Sequence, residues 1–225
     1  MKLVKKHFSV IILAFIILFS FFLRIYKISE IPPSLNWDEV SHGYNAFSIL
    51  KTGKDEWGFS FPLIFRAYGD YKLPLYIYLT TIPVFIFGLN ELAVRLISVL
   101  AGVGLVLLAY LITRKITKSE AISLFAGFLT AVSPWSLFVS RAALEANLGA
   151  FLFALGGYFF LSYLEDKAGK NLVFFSVFLG LAMHAYNSCR IIAPLFVIIA
   201  FFILGRKNGF KKLLLSGLIF TVFLI

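Results

Sequence analysis

Long apolar runs separated by short basic clusters constrain this chain more than any other feature of its sequence. The first run, Phe8 to Leu23, follows three lysines, and seven further runs come later. Hydrophobic residues make up 60% of the chain and charged residues only 14%, so a soluble domain of this size would expose far too much apolar surface. The sequence therefore predicts an all-α polytopic membrane protein.

A net charge of +10 does not by itself indicate a nucleic-acid-binding protein. The basic residues lie in clusters between apolar runs, which is typical of cytoplasmic membrane loops and not of a groove that follows nucleic-acid phosphates. Membrane lipids are thus expected partners and nucleic acid is not. The single cysteine, Cys189, excludes an internal disulfide.

The first run could be a secretory signal, which also has a basic start and an apolar core. However, it ends in Leu23-Arg24-Ile25-Tyr26-Lys27, without a small-residue cleavage site. Arg24 and Tyr26 are typical of interfacial anchors. We therefore expect a retained first helix with a cytoplasmic N-terminus.

The later runs are candidate spans, and the doubtful one is Leu73–Leu89, which is short and contains Pro74, Pro83 and Gly88. If this segment crosses, 15 of the 21 basic residues face outwards; if it does not, 12 face the cytoplasm. The positive-inside rule favours the second arrangement, with Leu73–Leu89 dipping into the outer face. Seven spans follow: Phe8–Leu23, Leu92–Thr113, Ala121–Val139, Leu148–Leu164, Leu172–Tyr186, Ile191–Leu204 and Leu213–Ile225.

The last run stops while it is still apolar, which predicts one domain over residues 1–225 that is the front part of a longer protein. A natural seven-span product is the alternative.

The first outer loop, residues 26–91, carries more than a linker would. Pro32-Pro33 ends any extension of the first helix, and Asn36-Trp37-Asp38-Glu39 opens a helix of about three turns that ends near Thr52-Gly53. Its apolar and polar residues separate at helical spacing, which predicts an amphipathic helix on the membrane surface. The apolar set is Val40, Gly43, Tyr44, Phe47 and Leu50.

The acids of this loop have two interpretations. Asp38 and Glu39 in a first helical turn are explained by capping and the helix dipole, which spacing alone favours over catalysis. His42 lies four residues after Asp38, as in some metal sites, but two groups are too few to specify a metal, and a surface partner of Asp38 is the simpler interpretation.

Two later stretches of the loop are also polar. The acids of Lys54-Asp55-Glu56-Trp57-Gly58 are expected to be solvated. Asp70 and Lys72 precede the dipping segment, either as a helix-capping acid with an interfacial lysine or as a site where Lys72 contacts an anion.

Five motifs in order resemble the N-terminal half of GT-C membrane glycosyltransferases. The resemblance is to the branch with protein O-mannosyltransferases, lipid A aminoarabinose transferases and Rgt-type bacterial glycosyltransferases. The motifs are Trp37-Asp38-Glu39, the turn at 54–58, Lys72-Leu73-Pro74-Leu75, the stretch 88–96, and Ser133-Pro134 followed by Ser140-Arg141-Ala142-Ala143-Leu144-Glu145.

The resemblance implies transfer of a hexose or pentose from a polyprenyl-phosphate carrier to a glycan, lipid or protein acceptor outside the membrane. It places the essential carboxylate on Asp38 and Glu39, and a second acid on Glu145, after Arg141. Many relatives have Asp at the second position, so Glu145 leaves open whether a divalent metal ion binds Asp38 and Glu145. The Lys-x-Pro-Leu motif matches Lys72.

The span assignment, made without the resemblance, places the acids and bases of this set on one face of the membrane. Substrate-binding candidates are His42, Asp70, Lys72, Arg141, His184 and Arg190. Three of them, Lys72, Arg141 and Arg190, are candidates for phosphate contact. Snorkelling arginines and an interfacial histidine are the structural alternatives for Arg141, Arg190 and His184.

The resulting hypothesis is a single displacement that inverts the anomeric centre. Asp38 acts as general base, and Glu39 or Glu145 orients the acceptor or a cation. A transporter or flippase of lipid-linked sugars is the alternative, although such proteins usually place charges near the bilayer midplane. A third interpretation is an inactive fragment.

Overall fold

The computed structural model describes residues 2–205, and its helices and one small hairpin follow the sequence pattern. The elements are α1 (Lys2–Ile25), α2 (Trp37–Thr52), β1 (Phe65–Arg66), β2 (Tyr71–Lys72), α3 (Pro74–Phe87), α4 (Glu91–Thr117), α5 (Glu120–Val132), α6 (Pro134–Arg141), α7 (Glu145–Asp166), α8 (Gly169–Ala185) and α9 (Cys189–Gly205). The all-α membrane class is confirmed. The chain divides between Asn147 and Leu148 into two compact units, and each is described by itself.

Helix α4 is the centre of the first unit and packs against α1, α2, α3, α5 and α6. Small side chains make this close packing feasible: Ala93, Ser98 and Ala101 of α4 are almost fully buried. A side chain on Gly102 would collide with Ser140 of α6. Helices α5 and α6 are bent by 54° at Ser133–Pro134, where proline lacks the N–H that would continue the helix.

Three helices in the described part of the chain are long and apolar enough to span a membrane, within His7–Ile25, Glu91–Thr117 and Glu145–Asp166. The bent pair α5–α6 makes a fourth if it counts as one span, while α3, α8 and α9 are shorter apolar helices. The predicted count of seven therefore stays a prediction. The predicted span Leu213–Ile225 lies outside the described residues.

Helix α3 occupies the segment predicted to dip into the outer face. It has 14 residues, begins with Pro74 and contains Pro83. At about 1.5 Å per residue it is about 21 Å long, less than the roughly 30 Å of a bilayer's hydrocarbon core. Its length agrees with a segment that does not cross, and the side it faces stays a prediction.

Helix α2 has the predicted ends but more turns than expected. Asn36 forms a capping box with Glu39, and Gly53 ends the helix at φ +69°, a conformation that favours glycine. The helix runs for 16 residues, so it has more than four turns. Its polar residues Ser41, His42 and Asn45 are buried against the protein, and its apolar residues Val40, Tyr44 and Leu50 are exposed.

Two arginines anchor the chain between α1 and α2. Arg141 donates hydrogen bonds to the carbonyl oxygens of Leu23, Arg24, Tyr26 and Ile31, at 2.7–3.3 Å. Arg95, which is fully buried, donates to the carbonyls of Ile28, Pro32 and Ser34 at 2.6–3.1 Å. A guanidinium group has enough N–H donors to bond several backbone carbonyls at once. Each arginine therefore holds several residues between the end of α1 and the start of α2 in place.

Glu39 is the anionic partner of Arg95. Its Oε1 lies 2.8 Å from Arg95 Nε and accepts a hydrogen bond from the Ala143 amide at 2.9 Å. Its Oε2 accepts from the Asn36 amide at 3.0 Å. Glu39 is only 1% exposed. Its bonds to Arg95 and Ala143 join α2, α4 and the connection before α7 in one polar network.

The second unit has an aromatic core of its own. Phe160 and Tyr163 of α7 pack with Phe175 of α8 and the partly buried Phe196 of α9. This part contains no residue of the acidic cluster described below.

The buried pair predicts a large stability effect for Glu39→Ala. Removal of one partner leaves Arg95 as an uncompensated buried charge, which costs about 3–5 kcal/mol. Unfolding in mixed micelles measures the loss. The matched control is Glu30→Ala, which removes the exposed ion pair with Lys27 and is expected to cost about 0–1 kcal/mol. Equal losses in the two variants would contradict the assignment.

Candidate active site

The centre of the candidate site is the ammonium group of Lys72. In the hairpin, Phe65 pairs with Lys72 and Arg66 with Tyr71, and only the first pair points into the protein. Lys72 Nζ lies 2.9 Å from Asp38 Oδ1, 3.1 Å from Asp70 Oδ2 and 3.5 Å from Glu145 Oε1. One buried lysine therefore joins carboxylates from the start of α2, the hairpin and the start of α7.

The electrostatics of this cluster keep Lys72 protonated. Burial by itself would lower the pKa of Lys72, but the hydrogen bond to Asp38, the charge of Glu145 and the hydrogen bond to Asp70 together raise it above its usual value. The pKa of Asp70 is lowered, first by the Tyr71 amide and then by Lys72. The cluster holds three carboxylates and one ammonium, so it has an excess of negative charge.

His42 lies beside this cluster as a fully buried ring. Its Nδ1 is 3.1 Å from the Ala143 carbonyl, its Nε2 is 3.6 Å from Glu145 Oε2, and its ring stacks at a tilt 4.9 Å from Tyr76. A carbonyl only accepts, so Nδ1 carries the proton of the neutral ring and Nε2 presents a lone pair. Burial lowers the pKa of His42 below 6.5, with Glu145 opposing in part, and the ring is neutral at pH 7.

The structure gives the adjacent acids Asp38 and Glu39 different surroundings. The Asp38 side chain is 32% exposed and touches Lys72, whereas Glu39 points to Arg95 with both oxygens bonded. Of the pair, only Asp38 is accessible to a substrate. His42 is not a surface partner of Asp38, because its ring is buried against Ala143 and Tyr76.

The remaining candidates are placed elsewhere. Arg141 is used by the loop carbonyls described above. His184 is half-buried at the end of α8 and Arg190 is exposed near the start of α9; both belong to the second unit and are described within it alone.

Asp55 differs from the sequence-based expectation, and the role of Arg95 was missed by it. Asp55 was expected to be solvated, but it is only 5% exposed, because its Oδ1 accepts hydrogen bonds from the Trp57 and Phe59 amides. The role of Arg95 was missed. Its signal was present, since an arginine inside the apolar run Leu92–Thr113 is expensive unless it has a partner.

The donor set does not make a metal site in the described part of the chain. Three carboxylates meet around Lys72, but no group of three or more His, Cys, Asp or Glu side chains among those residues has an arrangement that could hold a metal ion. Asp38 and Glu145, the two candidate ligands, both contact the Lys72 ammonium instead.

A family model described as dolichyl-phosphate-mannose-protein mannosyltransferase matches residues 72–225. The chain belongs to this mannosyltransferase family. The match covers α3 to α9 and includes Lys72 and Glu145, while the loop with Asp38 precedes it. The resemblance to the N-terminal part of GT-C glycosyltransferases is thereby confirmed. A search of curated protein sequences found no match.

Solved structures show that this mannosyltransferase-family chain has a GT-C fold. ArnT from Cupriavidus metallidurans in the apo state matches with a TM-score of 0.72 and 17% identity, over 98% of this chain and 41% of that one. The Archaeoglobus fulgidus oligosaccharyltransferase in the apo form matches with 0.70 and 21%, over 97% and 29%. The oligosaccharyltransferase AglB from the same organism, solved with an inhibitory peptide and a dolichol-phosphate, matches with a TM-score of 0.69 and 21% identity, again over 97% of this chain and 29% of that one. The chain thus spans about a third of the length of these proteins.

The buried neutral histidine predicts a pH dependence of stability. Below pH 6.5 the unfolded chain binds a proton at this histidine that the folded protein does not, so the free energy of unfolding falls as the pH drops through this value. The variant His42→Gln should lose this contribution, which amounts to at most about 1.4 kcal/mol per pH unit. Unfolding titrations between about pH 5 and 8 measure the two slopes. Identical slopes for variant and wild type would contradict a neutral, buried His42.

Proposed function

We propose that this protein transfers a sugar from a polyprenyl-phosphate carrier to an acceptor hydroxyl on the extracytoplasmic side of the membrane. The observation that carries the proposal is the buried Lys72 ammonium, held by Asp38, Asp70 and Glu145 beside a fully buried His42. Such a cluster places a proton acceptor and an anion-binding cation next to each other, which is what glycosyl transfer from a phosphate requires.

Lys72 is the proposed contact for the carrier phosphate, which takes the place of the exposed Asp70 carboxylate on the ammonium, because three carboxylates around one cation would otherwise repel it. As the bond between the anomeric carbon and the phosphate oxygen breaks, negative charge grows on the phosphate, and an ammonium in a site with little water stabilises it strongly. Lys72 is 7% exposed, so part of its surface can reach a ligand. Arg141 is not needed for this role, because its guanidinium is bonded to loop carbonyls.

Asp38 is the proposed general base. Its side chain is more exposed than that of Glu145, at 32% against 15%, and the Lys72 contact uses Oδ1. The acceptor oxygen forms a bond to the anomeric carbon, the bond to phosphate breaks with its electron pair on the phosphate, and the acceptor proton passes to Asp38. This single displacement inverts the anomeric centre.

The other acids support these two groups. Glu145 contacts Lys72 and faces His42 Nε2, so it orients the ammonium. Glu39 positions the first turn of α2, and therefore Asp38, through Arg95 and Ala143. His184 and Arg190 of the second unit remain candidates for substrate contact.

The family and its structural neighbours support the donor class. One neighbour was solved with a dolichol-phosphate, which is a polyprenyl-type phosphate. The ionisable groups also lie in the loop and at the starts of helices, where an enzyme at the membrane surface uses them, and not at the middle of broken helices as in transporters.

Asp38→Asn tests the base. The variant keeps the shape but cannot take the proton, so transfer from a polyprenyl-phosphate sugar by the full-length protein should fall by about 10²- to 10⁴-fold. Glu30→Gln, an exposed acid of the same loop, is the matched control and should transfer normally. Undiminished transfer by Asp38→Asn would refute the base assignment, and carrier movement without transfer by the wild type would indicate a flippase.

Lys72→Met tests the phosphate contact. Transfer should fall by about 10²- to 10³-fold, and Lys72→Arg should recover part of it because it restores the charge. Lys54→Met removes an exposed lysine of the same loop and serves as control. Competition by sugar-free polyprenyl phosphate separates the roles: a phosphate contact predicts that Lys72→Met weakens this inhibition, and unchanged inhibition would contradict it.

A further inference from the structure

A cleft lies on the outer face of the hairpin, opposite the face from which Lys72 enters the cluster. It is a cleft of about 450 Å³ lined by Trp57, Arg66, Ala67, Tyr68, Asp70 and Tyr71. Its volume falls within the usual range of small-molecule sites, about 300–1,000 Å³. Of the candidate site residues named from the sequence, only Asp70 lines this cleft.

The cleft is held in shape by specific bonds. The buried Asp55 accepts hydrogen bonds from the Trp57 and Phe59 amides at 2.9 and 2.8 Å and so fixes the turn that carries Trp57. Asn45 of α2 holds the same turn through two hydrogen bonds with Glu56, at 2.9 and 3.1 Å. A wall fixed before binding lowers the entropy cost of binding.

The two walls are also joined to each other. Trp57 Nε1 donates to the Arg66 carbonyl at 3.1 Å, and the Arg66 guanidinium lies 4.4 Å from the centre of the Trp57 ring. The Ala67 amide donates a hydrogen bond to the Asp70 carbonyl and so closes the hairpin turn, in which Gly69 has φ +70°. This geometry leaves the Tyr68 and Tyr71 rings 69% and 62% exposed.

We propose that this cleft binds a sugar ring of the acceptor. A pyranose has apolar C–H faces, which pack on aromatic rings, and a rim of hydroxyl groups, which bond to charged side chains. The cleft offers the rings of Trp57, Tyr68 and Tyr71 together with a donor on Arg66 and an acceptor on Asp70. A lipid chain would offer no polar partner to the Arg66 guanidinium, whereas a sugar hydroxyl accepts its hydrogen bond.

The position of the cleft links it to the transfer site. Asp70 lines the cleft and also binds Lys72, and the same ammonium binds Asp38. A sugar in the cleft is therefore connected to the proposed base through Asp70 and Lys72, and it lies on the side of the hairpin away from α2. The assignment of this sugar as the acceptor rests on the proposed function, whereas the binding of a sugar by the cleft does not.

Saturation-transfer NMR on the full-length protein in nanodiscs tests the proposal. The probes are methyl glycosides of glucose, galactose, mannose and N-acetylglucosamine. At least one is expected to receive saturation on its ring protons, reduced at least fivefold in Trp57→Ala and Tyr71→Ala. Trp57→Phe should restore part of the signal because it restores a ring. Trp135→Ala, which removes an exposed tryptophan of α6, is the matched control and should leave the signal unchanged.

The competing explanation is that these aromatic residues anchor the loop in the bilayer interface. Fluorescence of Trp57 in vesicles with chain-labelled doxyl lipids distinguishes these explanations. The variant carries Trp37→Phe and Trp135→Phe, so that Trp57 is the only tryptophan of residues 1–225, and phenylalanine replaces any tryptophan that follows in the full-length protein. Weak quenching of Trp57 supports a sugar site. Strong quenching, no signal from any glycoside, or equal signals in Trp57→Ala and Trp135→Ala would overturn the proposal.

Asp38→Asn separates this inference from the proposed function. The variant is expected to lose transfer and to keep the glycoside signal, because Asp38 does not line the cleft. If transfer survives in Asp38→Asn while Trp57→Ala loses the signal, the base is wrong and the sugar site stands. If transfer is lost and no glycoside gives a signal, the base stands and the sugar site is wrong.

Discussion

The buried guanidinium of Arg95 is the constraint on which the first outer loop depends. An arginine inside an otherwise apolar helix is costly unless its charge and its donors are satisfied. Here Glu39 supplies the charge, and three carbonyls between Ile28 and Ser34 accept the remaining donors. The loop between α1 and α2 is thereby bound to α4. The first turn of α2 follows directly after this bound segment. The position of Asp38 therefore depends on the ion pair between its neighbour Glu39 and Arg95.

Much of the loop could be predicted from the sequence because its signals are local. Pro32-Pro33, the Asn36 cap and Gly53 predicted both ends of α2, and the short run with two prolines predicted a helix that differs from the spans. The different roles of Asp38 and Glu39 could not be predicted. Consecutive residues of an α-helix point about 100° apart, so neighbours in sequence face different partners, and the partner Arg95 is 56 residues away.

Other outcomes depended on contacts that the sequence does not contain. Asp55 lies in a run of polar residues and was expected in solvent, yet its carboxylate is the acceptor that shapes its own turn. Arg141 was a candidate for phosphate because of its position before Glu145, yet its donors match the carbonyls at the end of α1. The difference is physical: a pattern shows that a charge is present at the membrane surface, and only the fold shows which group neutralises or bonds it.

The relation between the two acidic motifs is set by the main chain of Ala143. Its amide donates to Glu39 and its carbonyl accepts from His42, two residues three apart on one face of α2. Because both bonds use backbone atoms, the connection before α7 is docked on α2 whatever side chain follows two residues later. The docking brings the backbone of residue 145 close enough to α2 and the hairpin for the Glu145 side chain to reach both His42 and Lys72.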